Sequence, residues 1–145
     1  MKIRHIDHVG IIVDDLAAAK AFFLDFGLAV LGEGGATGAW MDRIVGLDGV
    51  QTTFVMMGPP DGQANIELIK FHTPPDEHGI RPAFANTPGL RHIAFVVEDI
   101  EALVAKLRKN STEPFSAIHR FEGSYQLCYV HGPEGIIIEL AEEIG

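Results

Sequence analysis

An α+β fold made of two copies of one βαβββ unit is what this sequence predicts, and three sets of landmarks predict it. His8 in IDHVGIIVDDL and His92 in LRHIAFVVEDI stand 84 positions apart, as do Asp15-Leu16 and Asp99-Ile100, where strand gives way to helix. Two tight turns, Pro59-Pro60-Asp61-Gly62 and Gly132-Pro133-Glu134-Gly135, each lead into an Ile-Glu-Leu strand carrying Glu67 or Glu139. Between the halves, Thr73 to Gly89 holds four prolines and reads as a linker. Residues 1–145 thus form one domain, with a module over 1–72, a linker over 73–89 and a module over 90–145.

Each element follows from local pattern. Ile3 to Val13 is β-branched and alternating, and Asp14-Asp15 can cap the helix after it. Leu16, Ala19, Phe23 and Phe26 recur at helical spacing, and Gly27 stops the run. In the second half Leu90 to Val97 is the strand and Glu98-Asp99 the cap. Ile100, Leu103, Val104 and Leu107 line the buried face of a helix ending near Asn110. The shorter strands fall at 29–33, 52–58 and 65–71, then at 113–119, 124–130 and 135–141. Gly32 to Gly38, with Trp40-Met41-Asp42-Arg43 after it, has no counterpart in the second half and reads as a mobile loop over a site.

Composition removes several function classes. Apolar residues make up 47% and charged residues 21%, which suits a soluble globular protein. No apolar stretch approaches the length of a bilayer span, and the N-terminus has no signal-like segment, so no membrane role and a cytoplasmic location are expected. A net charge of −9 argues against nucleic acid as partner, because phosphate is bound by surplus Lys and Arg. The single Cys128 permits no internal disulfide and sits in an alternating strand pattern, where it is expected to be buried and inert.

The chemistry lies in the repeated histidine and glutamate. Along their strands Glu67 shares a face with Asn65, Ile69 and Phe71, Glu139 with Ile137 and Ala141, and His92 with Leu90 and Ala94. An ionised carboxylate among apolar neighbours is costly unless a cation offsets it. Two imidazoles and two carboxylates at matching places are a ligand set for one divalent metal: His8, Glu67, His92 and Glu139. Nitrogen and oxygen ligands without thiolate suit Ni, Zn, Co, Mn or Fe(II).

The segments DHVGIIVDDL, NIEL, GLRHIAFVVEDI and GPEGIIIEL span Ile6 to Leu140 and resemble the vicinal oxygen chelate superfamily. That superfamily includes glyoxalase I, methylmalonyl-CoA epimerase, extradiol dioxygenases and the fosfomycin and bleomycin resistance proteins. The resemblance implies two βαβββ modules forming an incomplete barrel around one metal. The order His, Glu, His, Glu is most similar to glyoxalase I. It implies a lactoylglutathione lyase-like lyase or isomerase that holds both vicinal oxygens of an enediolate on the metal. It also implies Glu139 and Glu67 as the catalytic carboxylates, with a slight preference for Glu139 as base, and a homodimer. The implied substrate is a small hemithioacetal or an acyl thioester. A methylmalonyl-CoA epimerase-like enzyme is the alternative, followed by an extradiol-type dioxygenase or a small-molecule-sequestering resistance protein. Phe71 departs from the pattern of short bacterial glyoxalase I sequences, which carry Asn there on the glutathione side.

Arg43, Lys70, Arg91 and Arg120 are candidates to meet an anionic substrate, though each also reads as a surface charge. His5 has the opposite strand parity to His8 and should point away from it. His72, His78, His119 and His131 fall near strand ends or in loops and are expected to be exposed. Trp40 and Phe54 read as packing residues, with Trp40 also a candidate for a lid.

Overall fold

The computed structural model describes residues 1–61 and 63–144. The chain divides into two compact units, Met1–Ile80 and Arg81–Gly145. The first holds β1 (His8–Ile12), α1 (Leu16–Phe26), β2 (Ala29–Thr37), α2 (Ala39–Val45), β3 (Gln51–Gly58) and β4 (Asn65–Thr73). The second holds β5 (His92–Val96), α3 (Ile100–Lys109), β6 (His119–Phe121), β7 (Tyr125–His131) and β8 (Ile137–Glu143). The sheet orders are β1-β4-β3-β2 and β5-β8-β7-β6, so both modules share one topology and neither sheet closes on itself. The predicted α+β class with two βαβββ modules is therefore observed, with one helix added to the first.

In each module a helix covers one face of the sheet. Phe23 and Ala19 of α1 are buried, as are Val55, Met57, Ile66 and Leu68 of the first sheet. In the second module Ile100, Val104 and Leu107 of α3 are buried together with Cys128, Val130, Ile138 and Leu140. The candidate site residues alternate with these buried strand residues and so lie on the opposite face of each sheet.

The helix starts are fixed as the sequence predicts. Asp15 accepts from the Ala18 N–H at 3.0 Å, and Asp99 from the Ala102 N–H at 3.0 Å. The α3 start has a second acceptor, because the Glu142 carboxylate takes the Ile100 N–H at 2.8 Å. Two of the four amides that a helix start leaves unpaired are thus satisfied by side chains. Gly27 and Asn110 end the helices at the expected places.

Several expectations are corrected. The first strand begins at His8 rather than Ile3, and residues 1–7 form no regular element. The second-module strand is His92–Val96, shorter than 90–97. Gly32 to Thr37, read as a mobile loop, continues β2, and Trp40 to Arg43 belong to α2. Glycine suits this strand because its neighbours occupy the side-chain space: a Cβ at Gly34 would lie 3.1 Å from the Phe54 ring, and one at Gly35 3.0 Å from the Thr52 carbonyl. The α2 turn is tied down by Asp42, whose carboxylate accepts from the Gly49 and Val50 N–H groups at 3.0 and 2.8 Å. The strand expected at 113–119 is reduced to a bridge between Pro114 and Val130, and regular pairing begins only at His119. Pro114 has no N–H to donate to a ladder. Of the turn Pro59 to Gly62, Pro60 and Asp61 form a turn and Gly62 lies outside the described residues.

Asp99→Ala should lower stability by about 1 kcal/mol, as loss of a capping side chain does. Asp99→Asn should retain most of it. Urea unfolding followed by circular dichroism reads both, and an unchanged midpoint for Asp99→Ala would refute the capping role.

Candidate metal centre

Register places each histidine beside its glutamate. β1 pairs with β4 in parallel, with His8 opposite Asn65 and Gly10 opposite Glu67. β5 pairs with β8 in the same way, with His92 opposite Ile137 and Ala94 opposite Glu139. Residues opposite one another in a sheet share a face, so each His and Glu stand as diagonal neighbours on one face. The residue opposite each glutamate is Gly10 or Ala94, too small to cover the carboxylate. The imidazole Nε2 therefore reaches the carboxylate Oε1, at 3.7 Å for His8 and Glu67 and at 3.3 Å for His92 and Glu139.

The histidine side chains are 37% exposed in both modules, against 22% for Glu67 and 20% for Glu139. The carboxylates thus sit deeper than the rings, with buried Ile137 and Ala141 on either side of Glu139 along its strand. On the first module the imidazole is also oriented. His8 Nδ1 donates to Asp7 at 2.7 Å, which leaves the Nε2 lone pair directed to the Glu67 side. The same hydrogen bond holds the Asp7 carboxyl below its usual range. In the second module Arg91 precedes the histidine, and the ring partner of His92 is Tyr129, with centroids 5.1 Å apart.

Tyr129 lies directly opposite Glu139 on β7. Burial, and after it the charge of Glu139, pushes the Tyr129 phenol up from its ordinary value. The sequence pattern placed Tyr129 in a strand but not at the site. The signal was the turn at Gly132 to Gly135, because a hairpin folded about Glu134 sets residues 129 and 139 face to face. Asp7 was missed because a strand drawn from Ile3 gives it the opposite parity to His8, whereas residues 1–7 form no strand.

The donor chemistry fits a divalent ion. Two ligands about 2.1 Å from one ion and a tetrahedral angle apart lie about 3.4 Å from each other, and the two pairs stand at 3.7 and 3.3 Å. Each module supplies one such pair. Among the described residues no cluster of three or more His, Cys, Asp or Glu side chains forms a ready-made cage. Cys128 is no ligand: it is buried on the helix-covered face, and burial pushes its thiol up.

The other candidates fall elsewhere. Lys70 has the opposite strand parity to Glu67 and donates to the Asp14 carbonyl at 2.6 Å, a structural contact and not an anion site. Arg43 lies exposed in α2, and Arg120 pairs with Gln126 on the β6–β7 ladder. Arg91 keeps a buried Nε without a hydrogen-bond partner. His72, His78, His119 and His131 are exposed, as expected; His5 is exposed too but lies outside any strand, so the parity argument does not apply to it, and Trp40 is 54% exposed. No helix among the described residues is long and apolar enough to cross a membrane.

Known proteins carry the same architecture. A glyoxalase family protein of Bacillus cereus superposes with a TM-score of 0.94 at 40% identity, over 100% of this chain and 97% of that one. The trypanothione-dependent glyoxalase I of Leishmania major superposes with a TM-score of 0.64 at 26% identity, over 97% of this chain and 88% of that one. The YaeR protein of Escherichia coli K12 is 28% identical over 144 residues, covering 97% of this chain and 98% of its own. The model of one family matches residues 5–140, and by that match the chain belongs to the glyoxalase/bleomycin resistance protein/dioxygenase superfamily.

Proposed function

We propose that this protein is a metal-dependent lyase or isomerase of the glyoxalase I type, acting on a small hemithioacetal. His8, Glu67, His92 and Glu139 would hold one divalent ion (Ni, Zn, Co, Mn or Fe), two ligands from each module. The modules would come from one chain or from the two partners of a homodimer. A cytoplasmic setting suits the single reduced Cys128. The observation that carries this reading is the matched contact in both modules, Nε2 to Oε1 at 3.7 and 3.3 Å.

Removing a proton from carbon next to a carbonyl develops negative charge on oxygen, and a bound divalent ion stabilises such charge as a Lewis acid. The protein's own part is to hold lone pairs in place and to move the proton. Asp7 fixes the His8 tautomer so that Nε2 is the donor atom. Glu67 and Glu139 are the carboxylates positioned to take a proton from one carbon and return it to the next. The C–H bond breaks to the carboxylate, its electron pair remains with the substrate, and the carboxylic acid gives the same proton back one carbon along. Phe54, Met56 and Ile69 share the open face with Glu67 and would keep water from it. An acyl-CoA epimerase also begins by removing a proton next to a carbonyl but returns one to the opposite face of the same carbon, and it is the substrate alternative.

Elemental analysis after reloading should find one divalent metal per site, and His92→Ala should lose it while keeping the fold. Protein that takes up no metal would sink the proposal. Replacing both Glu67 and Glu139 with Gln should slow proton exchange at the substrate carbon by about 100- to 10,000-fold. Deuterium incorporation from heavy water reads this with the hemithioacetal of methylglyoxal and glutathione and with methylmalonyl-CoA. Wild-type protein that binds both compounds yet exchanges no proton would be a sequestering protein instead.

A further inference from the structure

The face of the second module that carries Glu139 also carries a row of rings. Ile137 stands there with His131 opposite it on β7 and His92 opposite it on β5. Ring centroids step from His92 to Tyr129 at 5.1 Å, from Tyr129 to Phe115 at 5.9 Å and from Phe115 to His131 at 4.5 Å. Each spacing lies in the stacking and edge-to-face range. The Phe115 N–H donates to the Tyr129 carbonyl at 2.8 Å, which fixes the backbone that bears the ring. Phe115 is nevertheless 45% exposed, and His131 is exposed beside it. Ile137 between the two histidines is buried, so the row presents rings and not an aliphatic surface. Nothing in the shared topology requires these rings. In the first module Met56 stands where Tyr129 does, opposite the glutamate, and Gly58, two residues on, stands where His131 does.

We infer that this row is a stacking subsite for a planar aryl group of the small molecule bound beside His92 and Glu139, with Phe115 as its most accessible apolar ring. Resting on the proposed lyase or isomerase reaction, the subsite narrows its substrate to hemithioacetals that bear an aryl group. A ring already held by its neighbours loses little freedom when another ring settles on it. Ring pairs also gain from their quadrupoles beyond the apolar area they bury, so a flat aryl group is favoured over a saturated group of equal size. His92, a candidate metal ligand, is itself the end of the row, which places the aryl group next to the reacting carbons.

Binding of neutral amides, followed by NMR titration, tests the subsite without turnover. Mandelamide, its cyclohexyl counterpart and lactamide share one polar head and differ in the group beside it. Mandelamide should bind about 2- to 10-fold more tightly than the cyclohexyl compound, the usual gain of a ring pair beyond area. It should shift the signals of Phe115 and His131. Phe115→Leu keeps apolar bulk and should remove the preference, whereas Phe115→Tyr should keep it. Equal affinity for the two ring compounds, or affinity no better than that of lactamide, overturns the subsite. So does a preference that survives in Phe115→Leu. Shifts confined to other residues overturn its location, even if Phe115→Leu does not fold. A dimer that dissociates in Phe115→Leu, read by light scattering, makes the row a subunit contact and overturns it too. With metal-loaded protein, the advantage in kcat/KM of the phenylglyoxal–glutathione hemithioacetal over the methylglyoxal one should fall in Phe115→Leu, and an unchanged advantage counts against the subsite. If neither hemithioacetal turns over while mandelamide binds as expected, the isomerase reading fails alone and the stacking subsite stands.

Discussion

Parallel pairing of the first and last strands of each module is the constraint on which the site depends. β1 lies beside β4 and β5 beside β8, and in both the glutamate stands opposite the second residue after the histidine. A slip of one residue would turn either glutamate to the helix-covered face, among Ile66 and Leu68 or Ile138 and Leu140. The register is held beyond the strands as well, by the Val13 N–H to the Ile69 carbonyl at 2.9 Å and the Val97 N–H to the Ala141 carbonyl at 2.7 Å. The helix between the paired strands supplies the connection that a parallel pair requires, and its buried face covers one side of the sheet. Capping, packing and register thus act together to present one His–Glu pair per module.

The modules match in this frame and differ around it. The first has a nine-residue β2 and the added α2, whereas β6 in the second is three residues long. The first orients its histidine through Asp7, and the second sets Tyr129 against both of its site residues. Around Glu67 the open face carries Met56, Phe54 and Ile69. Around Glu139 it carries Tyr129 and, further along β7, Leu127 and Tyr125. Duplicated modules therefore need not carry duplicated surroundings.

Much of this was legible in the sequence. The equal offsets from His8 and Asp15 to His92 and Asp99 reveal the repeat, and alternation along β4 and β8 shows what shares a face with each glutamate. Asp15 and Asp99 cap helices because a short carboxylate before an apolar run can do little else as well. What the pattern hid was set by contacts between strands. Gly32 to Thr37 looks like a loop until Phe54 and the Thr52 carbonyl are seen to occupy the side-chain space. Pro114 interrupts a strand that apolar periodicity alone would draw from 113 onward. Lys70 is separated from the site by parity and bonded to Asp14, which its charge does not announce. Tyr129 was concealed because its partner lies ten residues away, across a turn.

X-ray absorption of the Co2+- or Zn2+-loaded protein tests most directly the central proposal, that the His–Glu pairs of the repeated unit are the ligands of a divalent metal. The account predicts only nitrogen and oxygen scatterers at about 2.0–2.2 Å, with the outer-shell signature of two imidazoles. A sulfur scatterer, or a signature of fewer than two imidazoles, would contradict it.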